Sequence, residues 1–101
     1  MTLRIAVIGA GPGGYVAAIR AAQLGCAVTL VERDRAGGTC LNLGCIPTKT
    51  LWKSASVAKE ARESKLFGVI TENVSIDDKQ IIQRKADVVD QVVGGVEFLL
   101  K

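Results

Sequence analysis

The stretch GAGPGG, residues 9–14, constrains this chain more than any other. It sets Gly9, Gly11 and Gly14 in G-x-G-x-x-G spacing, directly after an apolar run, Leu3–Gly9, that is rich in β-branched residues. Such a run, closed by glycine, reads as a buried parallel strand. Val16, Ala17, Ile19, Arg20 and Leu24 suit a helix from Gly13 to Leu24 whose small residues allow close approach to a sheet, and Gly25 ends it. Ala27–Glu32, AVTLVE, reads as a second strand with Cys26 just before it. Strand, helix and strand fill the first 32 residues, a crossover that is right-handed in nearly all proteins.

In that setting the glycines have mechanical meanings. Gly9 permits the tight turn out of the strand, Gly11 lets backbone approach a pyrophosphate, and Gly14 lets helix and strand pack closely. The helix start offers unpaired N–H groups and a positive dipole end to the phosphates. Glu32, 18 residues beyond Gly14, ends the second strand, where an acidic side chain accepts hydrogen bonds from ribose hydroxyls. The pattern predicts a dinucleotide site on Gly9, Gly11, Pro12, Gly13, Gly14, Glu32 and the adjoining Arg33. It does not separate FAD from NAD.

Other classes find little support. The chain has 101 residues, room for one small domain, and is 49% hydrophobic, enough for a core. Its net charge of +3 comes from 13 basic and 10 acidic residues spread along the sequence. With no basic stripe, and only Tyr15, Trp52, Phe67 and Phe98 as scattered aromatics, nucleic-acid binding is disfavoured. The apolar stretch Ile5–Val31 is broken by the glycines and by Arg20 and Gln23, so no run reaches the ~18 residues of a membrane span. Arg4 alone makes a thin charged region for a leader, and the expectation is a cytoplasmic chain with no targeting segment.

Beyond the loop RDRAGG, a second helix is predicted from about Thr39 to Ser64, followed by a short extended piece or turn at KLFGVIT. Ser75–Asp78, SIDD, resembles a capping box with Asp in place of Glu. It opens a long helix whose Ile81, Ile82, Val88, Val89, Val92, Val96 and Leu99 share a broad face. Gly94 and Gly95 weaken the continuity of that pattern. There is no repeat, low-complexity tract or linker. Two parallel strands make no stable open sheet, so the sequence reads as the opening part of a larger α/β fold.

Cys40 and Cys45 lie five positions apart within Gly37–Lys49, GGTCLNLGCIPTK. A zinc site takes about four Cys or His ligands, and a chain with three cysteines and no histidine is poorly supplied for one. A structural staple has little use in a cytoplasmic protein, so a redox-active disulfide is the favoured reading. In a regular helix, residues five apart have Cα atoms roughly 8.6 Å apart, beyond the ~7 Å that a disulfide tolerates. A Cys40–Cys45 bond thus requires a distorted first turn, which Gly44 can relax, with Pro47 in the first turn of the regular helix beyond. Short loops closed under distortion make readily reduced disulfides. Lys49, one turn beyond Cys45, is either a thiolate-stabilising cation or an ordinary solvated lysine. Cys26 reads as a small buried hydrophobe.

Gly38–Lys49, GTCLNLGCIPTK, resembles the redox-disulfide motif of the class I pyridine nucleotide-disulfide oxidoreductases. Leu41 and Ile46, each following a cysteine, lean towards the lipoamide-acting branch; the glutathione and mercuric-ion reductases are near relatives. With GAGPGG and Glu32 in their family places, the resemblance covers essentially the whole chain. It implies that residues 1–101 are the N-terminal portion of a Rossmann-like FAD-binding domain, a parallel βαβ unit followed by two helices. The NAD-binding and dimerisation domains are absent from it.

The resemblance also implies roles by position. Gly9, Gly11 and Gly14 would cradle the FAD pyrophosphate, Glu32 would hold ribose, and Gly38 and Thr39 would continue the contact. Cys40 would exchange with a lipoyl disulfide, Cys45 would lie against the isoalloxazine, and Lys49 would tune the ring. In the reduced parent enzyme Cys40, nearer the loop, is expected to be the sulfur that substrate and small alkylating agents reach first. Electrons would pass from dihydrolipoamide through the cysteine pair and FAD to NAD⁺. The implied partners are a lipoyl-bearing carrier or other disulfide substrate and a second subunit, whose His-Glu pair would supply a base that this histidine-free chain lacks. The rival reading is a nucleotide-binding or thiol-exchange module without flavin chemistry.

Overall fold

A computed structural model describes residues 1–101. Strand β1 (Arg4–Ile8) pairs in parallel with β2 (Ala27–Val31), with Arg4 opposite Ala27 and Ile8 opposite Val31. Helix α1 (Pro12–Gln23) joins them. Proline opens it without loss, because the first helical N–H has no partner in any case, and Gly25, at φ +89°, turns the chain out of it. This is the predicted βαβ unit, and the fold class is α/β as expected.

The strands are not buried on both faces. Val7, Val28 and Leu30 turn towards α1, but Ile8 is 89% exposed and Val31 also faces solvent. One helix on a two-stranded sheet covers one side only. Cys26 is a free, half-buried thiol.

The helix predicted over Thr39–Ser64 is two helices: α2 (Gly38–Asn42) and α3 (Cys45–Glu63). The break falls at Leu43 and Gly44, whose φ of −125° and ψ of −100° leave the helical region. It brings the Cα atoms of Cys40 and Cys45 to 4.6 Å, and a disulfide joins them. An unbroken helix could not do this. The chain leaves α3 through a 3₁₀ turn, Ser64–Phe67, closed by Gly68 at φ +77°. There the hydroxyls of Ser64 and Thr71 both donate to the Ala61 carbonyl.

Helix α4 (Asp78–Leu100) begins two residues later than a cap at Ser75 would place it. Asp77 is the cap, its carboxylate accepting from the Gln80 N–H at 3.1 Å. This is the usual reach from an N-cap to the third helical residue. The helix runs unbroken through Gly94 and Gly95, which sit on its exposed side. Its buried face is Val89, Val93 and Val96; Ile82 and Leu99, at 54% and 64% exposed, lie off it. Val93, fully buried, joins Leu41 of α2 in the core, with Tyr15, Cys40 and Ile46 packed around them.

The core therefore sits where α2 presses on the second half of α4. The rest of α3 and α4 forms an antiparallel hairpin beyond it, and the molecule measures 68 × 25 × 17 Å. Its radius of gyration, 19.6 Å, far exceeds the ~13 Å of a compact domain of this length.

That shape leaves Ile8, Leu66, Phe67 and Phe98 in solvent. The chain alone is expected to enhance the fluorescence of a hydrophobic dye and to associate as concentration rises. Sedimentation and dye titration check this; a dye-silent monomer at all concentrations would contradict it.

Candidate redox and dinucleotide site

The glycine turn is held by backbone. Gly9, at φ +101°, donates its N–H to the Val31 carbonyl at 2.7 Å. Ala10, 1% exposed, donates its N–H to Glu32 Oε2 at 2.6 Å, and its carbonyl accepts the Gly37 N–H at 2.7 Å. A Cβ on Gly14 would collide with the Gly9 carbonyl oxygen. The close helix–strand approach expected of Gly14 is thus present. At Gly11, by contrast, an added Cβ would meet nothing nearer than Gly38 Cα at 3.9 Å, and at Gly13 nothing within 4 Å.

No side chain caps the start of α1. Its first amides and positive dipole end are available to an anion. Open space over Gly11 and Gly13, an uncapped helix start and an acidic residue beside the turn fit a dinucleotide pyrophosphate and ribose. Arg33 and Thr39, both exposed, join Gly38 and Asn42 around an adjacent polar cavity of about 350 Å³.

The cysteine segment packs directly on this turn. Gly37 and Gly38 are consecutive left-handed residues, at φ +98° and +61°. A Cβ on Gly38 would lie 2.7 Å from Gly11 Cα, so only glycine admits this backbone-to-backbone contact. Asn42, which sequence reasoning passed over, donates from Nδ2 to the carbonyls of Ala36 at 3.1 Å and Gly38 at 2.9 Å. The available signal was an Asn between the two cysteines, a residue type that bonds local backbone wherever a helix is short.

The two sulfur-bearing residues are unequal in this segment. Cys40 is half-buried against the Leu41–Val93 core, whereas Cys45, at the first position of α3, is exposed. Packing α2 onto α4 draws Cys40 inward; a helix start projecting beyond that contact leaves Cys45 in the open. Pro47 and Thr50 are buried and seat the first turns of α3. Lys49 is exposed and forms no ion pair, so the structure brings it to the same helix as Cys45 but not into a salt bridge.

A glycine turn, an acidic residue and a disulfide-bonded cysteine pair are held as one unit on a βαβ frame. The chain belongs to the pyridine nucleotide-disulphide oxidoreductase family, whose model matches residues 3–101. It is 56% identical over 95 residues to dihydrolipoyl dehydrogenase of Staphylococcus aureus, covering 94% of this chain and 20% of that protein. The dihydrolipoyl dehydrogenase of Bacillus subtilis strain 168 is 52% identical over 97 residues, 96% of this chain and 20% of its own length. Among solved structures, the HOCl-induced flavoprotein disulfide reductase RclA from Escherichia coli is similar, with a TM-score of 0.70 at 32% identity. That match covers 97% of this chain and 19% of RclA. The chain thus spans about a fifth of these relatives, 19–20% of the three named.

The two glycines separate folding from binding. Gly14→Ala is expected to destabilise the chain by about 1–3 kcal/mol through overpacking. Gly11→Ala, with room for its methyl, should cost less than ~0.5 kcal/mol yet block dinucleotide binding. Thermal unfolding and nucleotide titration of both variants check the split.

Proposed function

We propose that this chain is the cofactor- and disulfide-bearing segment of a flavoprotein that oxidises dihydrolipoamide to lipoamide, with FAD bound and NAD⁺ as acceptor. The observation that carries the reading is the contact of Gly38 on Gly11, which holds the cysteine pair against the dinucleotide turn. This contact seats the helix that carries Cys40 directly on the glycine turn. The choice of lipoamide is supported by relatives at 52–56% identity named dihydrolipoyl dehydrogenase, against 32–33% for the RclA structures.

The residues would share the work as follows. Gly9, Gly11, Pro12, Gly13 and Gly14 form the pyrophosphate cradle, with Gly38 and Thr39 completing it. Glu32, which uses Oε2 on the Ala10 N–H, keeps Oε1 for ribose hydroxyls, and Arg33 lies alongside. When bound, FAD supplies a two-electron acceptor beside the disulfide. Exposed Cys45 is the sulfur free to lie against a flat ring, with the Lys49 ammonium one turn away. Cys40 exchanges with substrate.

A dihydrolipoyl thiolate attacks Cys40 Sγ, the S–S bond breaks, and Cys45 leaves as a thiolate. The second lipoyl thiolate then attacks the lipoyl sulfur of the mixed disulfide, forming lipoamide and releasing Cys40. Two electrons move onto the pair. The two lipoyl protons need a base, and with no histidine in this chain we assign it to a second subunit of a homodimer. The further proposed setting is the cytoplasm, with a lipoyl-bearing carrier protein as partner; no helix here is long and apolar enough to cross a membrane.

The test is made on the full-length protein. It should be yellow and turn over dihydrolipoamide faster than glutathione or mercuric ion, and a colourless protein would favour the thiol-exchange module instead. Cys40→Ser is expected to retain flavin and the long-wavelength thiolate–flavin absorbance while losing turnover. Cys45→Ser should lose both. Identical spectra for the two variants would overturn this division of roles.

Glu32→Ala removes a charged acceptor, a hydrogen bond worth about 1.5–3 kcal/mol. It should leave the fold in place and release flavin on extended dialysis, measured as the ratio of flavin to protein absorbance.

A further inference from the structure

Asn42 is the last residue of α2 and lies between the two cysteines. Its Nδ2 donates to two carbonyls, Ala36 and Gly38, while its buried Oδ1 has no partner. That orientation is forced, because turning the amide over would set its oxygen against two carbonyl oxygens. An unpaired buried acceptor is unfavourable, so the two donated bonds are what hold the side chain. They grip the chain on either side of Gly37, within the left-handed Gly37–Gly38 pair and the residue before it.

Helix α2 has five residues, far below the length at which a helix persists unaided. At its two ends the Leu41 N–H bonds the Gly37 carbonyl at 3.3 Å and the Leu43 N–H bonds that of Thr39 at 2.8 Å. Asn42 is the one side chain whose hydrogen bonds close this turn, and Cys40 is carried within it. Cys45 belongs to the 19-residue α3 and is fixed independently.

We propose that Asn42 is a positioning residue for the Cys40–Cys45 pair. By pinning α2 it keeps Cys40 near Cys45 after reduction, and so sets how strongly the pair favours the disulfide. The inference rests on the redox reading of that pair. In the dithiol state the seat of α2 holds the sulfurs together, with Leu41 in the core and Asn42 closing the turn, and a looser turn lowers the effective concentration of one at the other.

The chain is equilibrated with mixtures of reduced and oxidised dithiothreitol, trapped with an alkylating agent and weighed by mass spectrometry. In the exchange, dithiothreitol is oxidised to its cyclic disulfide while Cys40 and Cys45 take up two electrons and two protons. Asn42→Asp, of the same shape but with no donor, and Asn42→Ala should each lower the constant for disulfide formation about tenfold, or about 30 mV. Asp77→Ala, which removes the cap of α4, is the control for general loss of stability and should stay within about twofold of the wild type.

An unchanged constant in the Asn42 variants, or an equal fall in Asp77→Ala, overturns the positioning role. A wild-type pair that dithiothreitol cannot reduce reversibly overturns the redox reading, and this inference with it. Should both Asn42 variants unfold, NMR of the wild type decides. Protected Asn42 Nδ2 protons in both redox states are expected, and loss of that protection on reduction overturns the proposal.

Discussion

Ala10 is gripped through its backbone from both sides: Glu32 accepts its N–H at 2.6 Å, and Gly37 donates to its carbonyl at 2.7 Å. One of these bonds reaches the end of the second strand, the other the start of the cysteine segment. A buried backbone pair has to be satisfied somewhere, and here the satisfaction joins three stretches far apart in sequence. The bond to Glu32 is charge-assisted and short, as such bonds are. The glycine turn, the Glu32 carboxylate and the cysteine helix are consequently tied to one another.

The second constraint is steric. Left-handed Gly37 and Gly38 bring the chain down onto Gly11 so closely that no Cβ fits at Gly38. Disulfide formation then demands that α2 end almost as soon as it starts, because a continuous helix separates Cys40 and Cys45 too widely. Gly44 absorbs the change of direction, and Asn42 satisfies the carbonyls that the short turn leaves open. The redox pair is thus built by interrupting a helix, and the interruption is stabilised by contacts with the dinucleotide turn rather than by the helix itself.

What was legible in the sequence follows from range. The strands, α1 and the glycine spacing are local patterns, set by alternation and by the few residue types that tolerate a tight turn, and they stand where expected. So does Glu32, because strand lengths fix its distance from Gly14. Less legible were features decided by tertiary contact. The helical pattern puts Val92 on the apolar face and leaves Val93 off it, yet Val93 is fully buried beside Leu41 while Val92 is only partly buried against that core. The same pattern puts the cap at Ser75, whereas Asp77 takes that place with its carboxylate on the Gln80 N–H. Which cysteine is the more exposed in this segment depends on which side of α2 faces α4, and that is invisible in a linear string.

The elongated shape connects these observations. Burial is concentrated where α2, α4 and Tyr15 meet, at Leu41, Val89, Val93 and Val96. The sheet's far face and the outer hairpin contribute little apolar burial, and the only ion pair, Arg35–Asp90 at 3.0 Å, is exposed on both sides. Exposed pairs of that kind add at most ~1 kcal/mol. What burial stabilises is therefore the seat of the cysteine helix, and the dinucleotide turn shares in that stability through Ala10 and Gly38. Loosening α2 would be felt at the glycine turn, because Gly38 rests on Gly11. Stability in this chain is distributed along the same path that its chemistry uses.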